Sequence, residues 1–123
     1  MRVVIVDQDL KAGRKLAASV EKMVPTADVL LYSQPVEALS GIAAHRPDVA
    51  FVASHVNGTA GPDFVAEARK VDDSLKYVGI VDAPDADASV QWVAAGAKLV
   101  VARPVDSLGI RTALRHTAGG IDV

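Results

Sequence analysis

Short runs of continuously apolar residues recur along the chain. Between them lie longer stretches in which apolar residues return every three or four positions. Val3-Val4-Ile5-Val6 is the first run, and no polar residue interrupts it. A strand of that kind is buried on both faces, as in a parallel sheet covered by helices. Ala27 to Tyr32, Val49 to Ala53, Tyr77 to Val81 and Leu99 to Ala102 are the other predicted strands. After the first run, Leu10, Leu16, Val20, Met23 and Val24 follow an approximately helical period. Asp9 is placed to cap that helix and Pro25 to end it. Further helices are predicted over Val36 to Ala44 with Pro35 at its start, and from Pro62 to about Val71 with Phe64, Val65 and Ala68 inward. Two more span Asp85 to Ala95, closed by Gly96, and Val105 to Thr117.

Strands alternating with helices in this way define an α/β chain. The expected form is a single doubly wound (βα)5 domain, a flavodoxin-like three-layer sandwich whose parallel sheet has the order 2-1-3-4-5. The domain is expected to fill residues 1–118, with 119–123 a tail or the start of a linker. Ligands of such sheets bind beyond the carboxyl ends of the strands, near the switch point. That rule singles out Asp7, Ala53, Asp82 and Arg103.

Composition narrows the chemistry. A chain of 123 residues, half of them hydrophobic, suffices for one core. Its net charge of -2 gives no electrostatic reason for nucleic acid to bind this domain. The absence of cysteine excludes disulfides, thiol nucleophiles and thiolate metal sites. The opening apolar run is too short for a signal peptide or a membrane span, so the cytoplasm is the expected compartment. Gln8 to Gly13 lacks the Gly- and Thr-rich cradle that nucleotides or flavins need. His55 and Gly58 match a fragment of the cobalamin signature, but its aspartate is replaced by Ala53 and the fragment follows the third strand. His45 and His116 lie near helix ends, where a cation is favourable. No Ser/His/Asp constellation is recognisable, and neither a metal nor a cofactor is expected.

Several marks recur in a familiar order: Ile5-Val6-Asp7 at the first strand end, Pro47-Asp48 before the third strand, Gly58 and Gly61 after it, Gly96-Ala97 before the fifth, and Pro104 after it. From about residue 2 to 117 the chain resembles a bacterial response-regulator receiver domain, of the CheY-like family. The resemblance implies a site that holds magnesium and a phosphorylated aspartate, and it carries over one position at a time. Asp7 matches the first metal-binding acid, but Gln8 stands where the second belongs. Asp9 falls one position late and reads as a helix cap. Ala53 stands in place of the phosphoacceptor, and it has no oxygen to accept a phosphoryl group. Asp82 replaces the hydroxyl residue that contacts the phosphoryl oxygens, and a carboxylate there would repel them. Arg103 replaces the pairing lysine, exchanging a compact ammonium for a planar fork. Val100 replaces the switch aromatic, and Pro104 is kept.

The altered positions suggest a rebuilt pocket. Arg103 is expected to bridge Asp82 and Asp7; the alternative is a set of solvated, nearly independent charges. Ser54 adjoins Ala53, but consecutive strand residues point to opposite faces, so it does not inherit the acceptor role. Receiver domains pair through the fourth helix, fifth strand and fifth helix. Trp92 and Val100 are candidate anchors on that face, with Arg111 and Arg115 as its basic residues. A tryptophan packed on the sheet is the competing reading for Trp92. The expected function is therefore a phosphorylation-independent pseudo-receiver, an atypical response-regulator module and not an enzyme. It would act in signalling or transcription regulation through a protein partner or a homodimer, as the N-terminal domain of a longer bacterial regulator. The alternatives are a receiver phosphorylated at a displaced residue, Asp48 or Ser54, and a small-molecule sensor that uses the vacated pocket.

Overall fold

The computed structural model describes residues 1–83 and 86–117. Its elements are β1 (Arg2–Val6), α1 (Leu10–Met23), β2 (Asp28–Tyr32), α2 (Pro35–His45), β3 (Val49–Ala53), β4 (His55–Val56), β5 (Thr59–Ala60), α3 (Gly61–Val71), β6 (Lys76–Val81), α4 (Ala86–Ala95), β7 (Leu99–Ala102) and α5 (Ser107–Thr117). Five strands form one sheet in the order β2-β1-β3-β6-β7, and every neighbouring pair is parallel. The flavodoxin-like order read from the sequence is therefore present. Asp85, expected to begin the fourth helix, and the tail from residue 118 lie outside the described residues.

The apolar runs are continuous because successive residues serve opposite layers. Val4, Val6, Ala50 and Val52 pack with Ala38, Ile42, Phe64, Val65 and Ala68 beneath α2 and α3. Val3, Ile5, Val49, Phe51, Val78 and Ile80 pack with Leu16, Val20, Ile110 and Leu114 beneath α1 and α5. Complete burial of each such aliphatic side chain contributes about 1.5–3 kcal/mol. Replacing one by a charged residue would break both the layer and the strand.

Helix ends follow local chemistry. The Asp9 carboxylate accepts from the N–H groups of Lys11 and Ala12 at 3.0 and 3.1 Å, which fixes the start of α1. Arg46 takes the left-handed conformation (φ 46°) at the end of α2. The last helix begins two residues later than expected from Val105. Asp106 explains the shift: its carboxylate accepts from Gly109 N–H at 2.8 Å and so acts as the cap.

Two features depart from the sequence reading. The loop after β3 forms a small antiparallel hairpin, β4 with β5, turned by Asn57 (φ 40°) and Gly58 (φ 89°). Positive φ at both central residues suits the right-handed twist of a hairpin, and Asn-Gly tolerates it best. Of the two readings for Trp92 the structure departs from the surface anchor and takes the packed one: the residue is 1% exposed and belongs to the core on the α2–α4 face of the sheet. Its ring lies against the backbone at Gly61 and Gly79, where any Cβ would collide with it. Burying so large an aromatic outweighs what it could contribute at a surface.

Tyr77, near the start of β6, is also buried, and its Oη donates to the Asp72 carbonyl at 3.1 Å. Burial first, and the neighbouring Asp72 charge second, push its phenol well above the ordinary value.

Candidate functional site

The strand registers bring Asp7, Ala53, Asp82 and Arg103 to one edge of the sheet. Val6 lies beside Tyr32 and Val52, Ala53 beside Ile80, and Val81 beside Ala102. Backbone bonds hold the emerging chain: Asp7 N–H donates to Tyr32 O at 3.0 Å and Arg103 N–H to Val81 O at 2.8 Å. Asp7, Gln8, Ala53, Asp82 and Arg103 line a shared cleft of about 240 Å³.

Arg103 follows β7, the outermost strand, and its side chain reaches inward to Asp7. Its Nη2 donates to Asp7 Oδ2 at 2.7 Å, and its Nε lies 3.4 Å from Asp82 Oδ1. Both carboxylates expected from the sequence are thus within reach of one guanidinium. The two contacts are unequal. The Asp7 side chain is 3% exposed, whereas Asp82 is 78% exposed. The other Asp7 oxygen accepts from Asp9 N–H at 2.9 Å, so both oxygens are occupied. A buried carboxylate is retained only when paired and hydrogen-bonded, and Asp7 meets both conditions. The exposed Asp82 contact contributes little, about 0–1 kcal/mol at most.

Gln8 has a different role from that of a missing acid. Its Oε1 accepts from Asn57 N–H at 2.9 Å, and Asn57 Nδ2 donates to Ser33 O at 2.5 Å. This chain of bonds joins the loops after β1, β2 and β3. Sequence reasoning missed it, although Asn57-Gly58 was a visible hairpin signal.

Ala53 is buried and presents only a methyl group. Ser54 Oγ turns toward the neighbouring strand and donates to Ile80 O at 2.8 Å. Asp48 lies before β3, at the opposite end of the sheet, where it accepts from Arg2 N–H at 2.8 Å. A strand of five residues separates the two ends by roughly 16 Å. Asp48 therefore does not face Arg103, whereas Ser54 borders the cleft with its hydroxyl engaged by Ile80 O. His55 is exposed and borders the cleft.

The residues present do not fit a magnesium ion. Such an ion needs several oxygens in octahedral array, usually with one or two carboxylates. Here each Asp7 oxygen already accepts a hydrogen bond, the Gln8 oxygen is engaged by Asn57, and Ala53 offers none. Among the described residues no group of three or more His, Cys, Asp or Glu could hold a metal.

The remaining residues singled out earlier lie apart from this cleft or at its margin. Pro104 is exposed and follows Arg103 through a cis peptide bond. Val100 is half-buried and packs against the core cluster that contains Trp92. Arg111 and Arg115 are exposed on α5.

No family model and no curated protein matches the chain. Solved structures do, and all those named here are receiver domains or response regulators. A two-component response regulator from Clostridium difficile aligns with a TM-score of 0.87 at 15% identity, covering 100% of this chain and 99% of that one. The receiver domain of a DNA-binding response regulator from Colwellia psychrerythraea gives 0.84 at 17% identity, covering 94% and 95%. A response regulator from Burkholderia pseudomallei, solved with a phosphorylated aspartic acid, calcium and citrate, gives 0.82 at 19% identity. The match covers 94% of this chain and 65% of that protein. The fold is thus that of a response-regulator receiver domain. Among the described residues no helix is long and apolar enough to cross a membrane.

Proposed function

We propose that this chain is a phosphorylation-independent pseudo-receiver, a bacterial signalling module that regulates through protein contact and catalyses no reaction of its own. The observation that carries this reading is the Arg103 guanidinium, which spans Asp7 and Asp82 beside a methyl group at Ala53. The cation that would otherwise pair with a phosphoryl group is instead engaged by Asp7 and faces Asp82, a contact that needs neither metal nor phosphate. The Asp7, Arg103 and Gln8 groups of the cleft are already bonded within the protein, which argues against a metabolite seat there.

Contact with a partner, or with a second copy in the cytoplasm, is assigned to the face of α4, β7 and α5. Trp92 is buried and does not serve there. Val90 and Val93 on α4 and Leu108 on α5 are the exposed large apolar residues of these elements, at 67%, 58% and 68%. The test has two parts. Incubation with acetyl phosphate and magnesium, followed by intact-mass measurement, is expected to leave the mass unchanged; a stable phosphoryl adduct refutes the reading. The Ala53→Asp variant is expected to stay unmodified as well, because Gln8, Asp82 and Arg103 remain. For the interface, Val90→Glu with Val93→Glu should abolish self-association or partner binding in sedimentation velocity. Unchanged association would move the interface elsewhere.

A further inference from the structure

Beside the polar cleft lies a second cavity of different character. It is a groove of about 390 Å³ between α1 and the segment that joins β7 to α5. Ala12, Leu16, Pro104 and Val105 provide apolar surface, and Lys15 and Arg103 provide two cations; no acid lines it. The size falls within the range of small-molecule sites, which combine apolar walls with a few directing polar groups. The same positive character extends along the helix. Lys11, Lys15, Ser19 and Lys22 recur at spacings of four, four and three, and so form one stripe of α1. The nearby acids stay off the groove's walls: Asp9 and Asp106 are held as helix caps, and Glu21 falls on the Arg14 side of α1. The Lys15 ammonium enters no ion pair among the described residues.

Arg103 and Ala12 form the wall common to groove and cleft. A guanidinium carries five N–H donors. One on Nη2 serves Asp7 and the one on Nε faces the exposed Asp82 at 3.4 Å. Nη1 takes part in neither contact. We infer that this groove, and not the vacated phosphorylation cleft, is a seat for a small organic acid with an apolar body. The body would lie on Leu16, Pro104 and Val105. The carboxylate would bind between Lys15 and Arg103, in competition with Asp82. Seven residues line the groove, far fewer than the 20–30 a side of a standard protein interface, which favours a small ligand over a protein partner. The inference does not depend on the loss of phosphorylation.

Nuclear magnetic resonance titration of the full chain with 4-phenylbutanoate tests it, with 4-phenylbutanamide as the neutral comparison. The expected result is saturable binding in the low-millimolar range suited to so small a ligand. Shifts should concentrate at Ala12, Lys15, Ser19 and Val105. The amide should bind about tenfold more weakly, and Lys15→Glu should weaken the acid by about tenfold, as loss of a charge-assisted contact implies. Ala12→Leu, which fills the groove, should abolish binding while the spectrum keeps its native dispersion. Asp82→Asn should tighten binding about threefold by removing the competing carboxylate. Absence of saturable shifts, or equal binding of acid and amide, would overturn the proposal. So would a peptide of alternating Glu and Leu that binds more tightly and perturbs residues well beyond the groove, since that result would assign the surface to a protein.

Discussion

Each end of the sheet carries an arginine set against two aspartates, and the two arrangements differ chiefly in their contact with water. At the amino end Arg2 holds Asp28 by Nε at 3.2 Å, Asp48 by its backbone N–H at 2.8 Å, and His45 O by Nη1 at 2.7 Å. At the carboxyl end Arg103 holds Asp7 at 2.7 Å and faces Asp82 at 3.4 Å. The Arg2–Asp28 side chains are 42% and 61% exposed, against 29% and 3% for Arg103–Asp7. Solvent screens the first pair and offers each charge an alternative partner. For Asp7 the alternative is a buried, unpaired carboxylate, so the contact becomes obligatory. The contrast shows that the number of ion pairs says little, and that burial decides which of them determines conformation.

The contrast predicts a hierarchy. Asp7→Ala should have the largest effect, a loss of roughly 2–4 kcal/mol in urea unfolding followed by circular dichroism, because it strands a half-buried guanidinium and removes the acceptor of Asp9 N–H. A loss below about 1 kcal/mol would break the distinction between the two ends.

The amino end should reveal itself next, and at high pH. The buried Tyr77 phenol is raised above its ordinary value, so the unfolded chain releases this proton first, near pH 10. The unfolded state then binds fewer protons than the folded one, and stability falls as the pH rises through that region. Below it, the contribution is fully present. Tyr77→Phe should flatten this alkaline limb; an unchanged limb would show that another group controls it.

The smallest effects are expected from the exposed partners. Arg2→Ala and Asp82→Ala should each cost about 1 kcal/mol or less, and added salt should shrink the difference from the parent chain. A salt-insensitive loss of several kcal/mol in Asp82→Ala would make the carboxyl-end contacts equal and refute the asymmetry described above.

Much of the fold was legible because burial on both faces leaves an unmistakable mark. β1 and β3 are uninterrupted apolar runs, and the spacing between the strands leaves room for one helix each. The positions of Asp7, Asp82 and Arg103 followed from the switch-point rule, which needs only strand ends. Other features depend on distances that the chain order conceals. Gln8 and Asn57 are 49 residues apart, so their bond had no local signature, and Gln8 read only as a lost acid. The hairpin was missed even though Asn57-Gly58 encodes it. Trp92 stayed open between an interface anchor and a ring packed on the sheet because Gly61 and Gly79 were not read together. A glycine inside a strand such as β6 signals a close approach, and here the approaching group is the indole. The groove beside Arg103 arises where α1 meets the β7–α5 connection, a juxtaposition that no stretch of sequence contains.

The indole between those two glycines has an optical consequence. Trp92 is the only tryptophan of the chain, so its fluorescence comes from a single place. That place is the buried seam between the sheet and the start of α3, where the ring meets the backbone at Gly61 and Gly79. Emission from such a site should be blue-shifted and poorly accessible to iodide. Any parting of helix layer from sheet would redden it and admit the quencher. The chain therefore contains its own spectroscopic gauge, readable at micromolar concentration without an added dye.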